Sequence, residues 1–161
     1  MKKKKTIALS FPILFLVFLF TLNAPLFAPN HGCTPGYWKN HLDAWVPTGY
    51  SPSAVLNSVF INADIYGLGN VTLLNALKFK GGSGDLGAAR ILLRTAVAAL
   101  LNVAHPNVYY RGRYFGFDTV FKVIDAVNWA LDPVNGGRET MLELASELDG
   151  YNNFYCPLNG N

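Results

Sequence analysis

Four side chains with ligand or nucleophile chemistry stand near the two ends of residues 29–161: His31, Cys33 and His41 at the start, and Cys156 at the close. Imidazole and thiolate are the donor types of structural zinc sites. The spacing speaks against zinc, because no C-x2-C or H-x3-H pair occurs. A nucleophilic pair of Cys33 and His41, with Asn40 beside them, would need a free thiol activated at a helix N-terminus. Cys33 and Cys156 are the 2 cysteines of the chain. An even count in an exported protein reads as a disulfide. Closing so long a loop stabilises a fold by ~4–5 kcal/mol in the chain-entropy view.

The remaining reactive groups read as structural. Glu139, Glu143 and Glu147 recur every four residues and so share a helix face, which is expected to be a hydrated outer surface. "LDGYNN" lacks the D-x-D-x-D-G arrangement of a calcium loop, and "KGGSGD" lacks the Lys-Ser/Thr of a phosphate loop. No GxSxG elbow is present. His105, just before Pro106, falls at the end of a long helix, where an imidazolium would suit the carbonyl end of the dipole. Arg90 and Arg94 lie one turn apart and are expected to pair with Asp64, Asp118 or Asp125. No cofactor and no metal are expected.

Contact chemistry is richer. Tyr109, Tyr110, Arg111, Arg113, Tyr114 and Phe115 combine aromatic rings with guanidinium groups, the mixture found at protein interfaces and sugar-stacking surfaces. Trp129 falls on the polar side of its helix beside Lys122 and Asp125, and is a further anchor for contact. "NVT" at 70–72 is an N-glycosylation sequon.

These groups must be placed by helices, because the apolar residues recur at helical spacing between Gly, Pro and Asn punctuation. Thr34 and Pro35 open the first helix as N-cap and first helical residue. At 100° per residue, Tyr37, Trp38, His41, Leu42 and Trp45 then fall within an arc of about 140°, which predicts one buried face continuing to Pro47. A polar imidazole on that face would need a hydrogen-bond partner. "SAVLNSVF" after Ser51-Pro52 is expected to be a second helix, and "VTLLNALKF" a third. Asp85 is expected to cap a long helix, apolar on nearly every side, that Pro106 stops. Residues 107–117 are the least helical. Asp118 is expected to cap a helix whose core face is Val120, Ile124, Val127 and Leu131. A last helix over 138–149 turns Met141, Leu142, Ala145 and Leu148 inward. The fold class is all-α: a compact single-domain bundle of five or six helices, closed by one terminal disulfide.

The start of the chain is a targeting segment. Lysines at 2–5 precede an apolar run over 7–22, and Ala24 and Ala28 offer small residues for cleavage. Residues 1–28 are expected to be a signal peptide or an N-terminal membrane anchor, and 29–161 an exported helical domain. Four of the 13 basic residues lie in that leader, so the net charge of +3 belongs to it. The exported part is nearly neutral and carries no basic run suited to a phosphate backbone, so no nucleic-acid partner is expected. Membrane contact is expected only through an uncleaved leader.

"CTPGYWKNH" (residues 33–41) resembles a signature at the start of secreted bacterial and environmental domains of unassigned function. "GAARILLRTAVAALLN" and "ETMLELASELDGYNNFYCPLN" are similar to that group as well. The resemblance implies export and a surface or extracellular setting. It supplies no activity, cofactor or catalytic residue. The expectation is a non-enzymatic extracellular or cell-surface module, structural or binding, that acts through protein, glycan or self-association contacts. The competing expectation is a secreted hydrolase centred on His41, with or without a metal. The signature helix itself contributes Tyr37, Trp38, Asn40, His41 and Trp45.

Overall fold

A computed structural model describes residues 30–110 and 116–159. Its described residues form five α-helices and three short 3-10 helices. The α-helices are α1 (Pro35–Asn40), α2 (Leu73–Ala76), α3 (Gly84–Ala104), α4 (Val120–Leu131) and α5 (Arg138–Asn152). The fold is all-α, and Cys33 and Cys156 are joined across a sequence separation of 123 residues.

α3 is the axis. Ala88, Ala89, Leu92, Leu93, Ala96, Val97, Leu100 and Leu101 are all fully buried. The alanines let neighbouring helices approach closely, and α5, α4 and α1 pack around α3. By length and composition α3 could cross a bilayer; here it is the enclosed core helix. Ser83, two residues before the expected Asp85, is its N-cap residue, and Asp85 sits in the first turn, favourable to the helix dipole. The helix ends at Ala104 because Pro106 drives His105 into extended geometry, φ −82° and ψ 123°.

The first helix departs from its expected course. Thr34 Oγ1 accepts the Tyr37 N–H at 3.0 Å, and Pro35 opens α1. The α-helix stops at Asn40, His41 is non-helical, and a 3-10 helix covers Leu42–Thr48 with Pro47 inside it. In a continuing α-helix the Trp38 carbonyl would accept from residue 42. It accepts instead from the Trp45 indole Nε1 at 2.9 Å. The exchange buries both tryptophans and turns His41 and Leu42 outward.

The expected second helix is also absent. Residues 51–54 form a turn, followed by 3-10 helices at Leu56–Ser58 and Ile61–Tyr66. Backbone pairing with residues 69–73 explains this. The Leu56 N–H donates to Val71 O at 2.8 Å, Asn57 N–H to Gly69 O at 2.9 Å, and Leu73 N–H to Ala54 O at 2.8 Å. Those groups are thereby lost to an intrahelical ladder. α4 is capped by Thr119, whose Oγ1 accepts the Lys122 N–H, rather than by Asp118. Asp118 holds the Lys122 ammonium at 2.6 Å instead.

The N-terminal strap crosses the end of α5. His31 N–H donates to Tyr109 O, and Gly32 N–H to Tyr155 O. A Cβ on Gly32 would stand 2.0 Å from the Tyr151 carbonyl oxygen. Only glycine lets the strap lie so close. Gly32→Ala is expected to lower the unfolding free energy by about 2–3 kcal/mol, by forcing the strap outward. Urea unfolding of the oxidised protein checks this.

Candidate functional site

Of the residues that prompted the zinc and nucleophile readings, Cys33, Cys156 and His41 are occupied structurally, while the His31 Nδ1 is enclosed without a hydrogen-bond partner among the described residues. The two sulfurs are bonded to each other, so neither is a thiolate. Among the described residues no three His, Cys, Asp or Glu side chains are grouped to hold a metal. The buried face expected to include His41 excludes it: His41 is exposed. Its Nδ1 donates to the Tyr37 carbonyl at 2.9 Å, and its ring stacks on Tyr37 with centroids 4.1 Å apart. Asn40 is exposed beside it. Tyr37 in turn donates its hydroxyl to Leu158 O at 3.2 Å, fastening α1 to the C-terminal tail. The signature therefore spells a clasp.

At the centre of that clasp lies a residue the sequence reading passed over. Asn102 is fully buried on α3. Its Oδ1 accepts the Cys33 N–H at 2.8 Å and the Trp38 indole N–H at 3.0 Å. Its Nδ2 donates to Cys33 O and to Asn152 Oδ1, each at 2.9 Å. Asn152 Nδ2 continues to Thr95 O at 2.9 Å. An amide side chain can make four such bonds, and Asn102 makes all four. The available signal was one asparagine within an otherwise apolar run.

His105 is corrected in its charge. Burial pushes its pKa down, and its Nδ1 accepts the Asn107 N–H at 3.2 Å. Both favour neutral imidazole over the imidazolium expected at the helix end. With the folded pKa depressed, the contribution to stability is complete above the ordinary value of about 6.5 and is lost as pH falls through and below it. His105→Asn keeps a side-chain acceptor for the residue-107 N–H but cannot titrate. The variant is expected to lose less stability than the parent between pH 7 and pH 5, as read by thermal unfolding.

The expected contact segment divides. Tyr109 is 43 % exposed, whereas Tyr110 is 3 % exposed and belongs to the core rather than to a contact surface. Among the described residues the Tyr110 hydroxyl has no hydrogen-bond partner, and burial pushes its pKa well up. Its apolar ring packs edge-on to Tyr151 at 6.2 Å, which draws it inward. Arg111, Arg113, Tyr114 and Phe115 lie outside the described residues. Among the described residues Arg90 and Arg94 form no ion pair and the Arg94 Nε has no hydrogen-bond partner, while Asp118 is held by Lys122.

A hollow lies elsewhere, between α4 and α5. It is a cleft of about 450 Å³, within the usual range for small-ligand sites. From α4 come Lys122, Asp125, Ala126, Trp129 and Ala130, and from α5 come Thr140, Glu143, Leu144 and Glu147. Phe117 lines it as well. The spacing of three and four on each helix puts these side chains on facing stripes. Ala126 and Ala130 leave space that larger residues would fill. Trp129 is 53 % exposed beside this floor.

Among the described residues the charge in the cleft is mostly negative. Asp125, Glu143 and Glu147 contribute three carboxylates, and the Lys122 ammonium is engaged by Asp118. Glu147 is partly withdrawn from water, which raises its pKa, while the Tyr151 hydroxyl that it accepts at 3.5 Å acts in the opposite sense. Glu143 and Glu147, expected on a plain hydrated face, therefore line the hollow that holds Trp129. Only the packing of α4 on α5 brings the two together.

No family model, no curated protein and no solved structure matches this chain.

Proposed function

We propose that the protein is an exported, non-enzymatic binding module and that the α4–α5 cleft is its contact site. Trp129 carries the reading. A large indole left half-exposed over an apolar floor, among polar rim groups, is the composition of a recognition site. Export is supported by the lysine-then-apolar start of the chain. The disulfide between Cys33 and Cys156 agrees with an oxidising compartment. A hydrolase centred on His41 has no comparable support, since the ring rests on Tyr37 and points its Nδ1 at a backbone carbonyl.

The three tryptophans make the test direct. Trp38 and Trp45 are buried, so acrylamide quenching of the intact protein reports chiefly on Trp129. A panel of cationic, anionic and neutral peptides with neutral oligosaccharides is expected to contain a compound that shields this indole. Trp129→Ala is expected to abolish binding of that compound without loss of fold. A panel in which nothing shields Trp129 rejects the reading.

A further inference from the structure

We infer that the α4–α5 cleft receives a basic peptide segment of a partner protein, with arginine side chains at alternate positions. This rests on the cleft being the contact site and adds the chemistry of its occupant. Three features of the cleft select that chemistry.

The first is charge. Among the described residues, three carboxylates face the hollow, and the one ammonium there is engaged by Asp118. An anionic ligand would meet repulsion, and a neutral one would leave the carboxylates without a charged partner. A cationic ligand supplies it.

The second is the mixture of surfaces. Ala126, Ala130, Leu144 and Phe117 form apolar walls beside the acidic groups. A side chain with an aliphatic stem and a cationic head fits both parts. Arginine also presents a planar guanidinium, which stacks on an indole such as Trp129 and pairs with a carboxylate through two parallel N–H donors.

The third is spacing. Glu143 and Glu147 are one helical turn apart, which separates them by about 5–6 Å along α5. Alternate residues of an extended peptide point the same way and repeat every ~6.5–7 Å. Two arginines separated by one residue can therefore address both glutamates, with Asp125 and Trp129 on the opposite wall. The cleft volume of about 450 Å³ exceeds what one guanidinium head needs, which favours a segment over a single free cation.

The test uses the full, oxidised chain and three probes: the peptide acetyl-Gly-Arg-Ser-Arg-Gly-amide, its counterpart with both arginines replaced by glutamate, and a neutral oligosaccharide. Shielding of Trp129 from acrylamide and titration calorimetry give the readouts. The arginine peptide is expected to bind at least ten-fold tighter than the glutamate peptide and to weaken as salt rises. It is expected to lose ten-fold or more when Glu143→Gln and Glu147→Gln are combined. Asp125→Asn, on the other helix, is an independent check and is expected to weaken binding several-fold. Equal binding of the two peptides, or unchanged binding in the glutamine variant, overturns the inference. If the oligosaccharide shields Trp129 and the arginine peptide does not, the cleft remains the contact site and only the cationic occupant is wrong. If no probe shields Trp129, both readings fail.

Discussion

Asn102→Ala is expected to lower the unfolding free energy by about 4 kcal/mol, because four buried polar groups lose one shared partner. The alanine strands the Cys33 N–H and C=O, the Trp38 indole N–H and the Asn152 Oδ1. A buried group left unpaired costs ~1–3 kcal/mol, and relaxation around the vacated volume recovers part of the total. A loss of that size is a large fraction of the ~5–15 kcal/mol that holds an ordinary domain together. Asn102→Asp should be no milder, because it removes both donors and buries a carboxylate. Asn152→Ala is the informative comparison. It frees only one Asn102 donor and the Thr95 carbonyl. Its expected cost is about 1–2 kcal/mol. Urea unfolding of the three variants checks the order. An Asn102→Ala loss no greater than that of Asn152→Ala would show that the hub is not where the strap is held.

The second large effect is expected on breaking the disulfide. The bond between Cys33 and Cys156 closes a loop with a separation of 123 residues, and removing it by Cys33→Ser with Cys156→Ser is expected to lower stability by ~4–5 kcal/mol. The measurement is the shift in urea midpoint between the oxidised parent and the double variant. Asn102 holds the backbone of Cys33 on both its N–H and C=O, while the disulfide holds its sulfur. Both therefore restrain one residue. In a cycle that combines Asn102→Ala with the serine changes, the costs are expected to fall short of additive by 1 kcal/mol or more. With the bond gone, the strap opens more easily, and fewer of Asn102's partners depend on it.

Features set by local pattern were legible in the sequence. The extent of α3 follows from an apolar run between Ser83 and Pro106, and α5 follows from its recurring inward residues. The disulfide follows from counting cysteines. What was not legible depended on exchange between backbone and side chain. A constant 100° per residue carries His41 and Leu42 inward, but the Trp45 indole takes the carbonyl that the helix needed to continue. From that point the chain advances in 3-10 geometry, about 120° per residue, and the phase is lost. Residues 53–60 failed for a related reason, since their backbone groups found partners at 69–73. The α4–α5 cleft was half visible. Trp129 stood out as an apolar residue on a polar face. Glu143 and Glu147 resembled any solvated stripe until α5 was laid against α4. The Asn102 hub links residues separated by 69 and 50 positions, a distance over which no local periodicity operates.

The joining of the two ends also decides how the domain answers a pull. His31 pairs with Tyr155 in an isolated parallel bridge, and two residues further on the chain is bonded through Cys33 to Cys156. Tension applied between the flanks of residues 33 and 156 runs through the sulfur–sulfur link and bypasses the helices. The interior is mechanically out of circuit. Stretching the oxidised protein by its ends should therefore yield almost no extension beyond the flanking residues. The same pull after reduction should release the enclosed loop, about 400 Å of contour for its separation of 123 residues. A domain built in this way can sit along a load-bearing tether without being unfolded by the load.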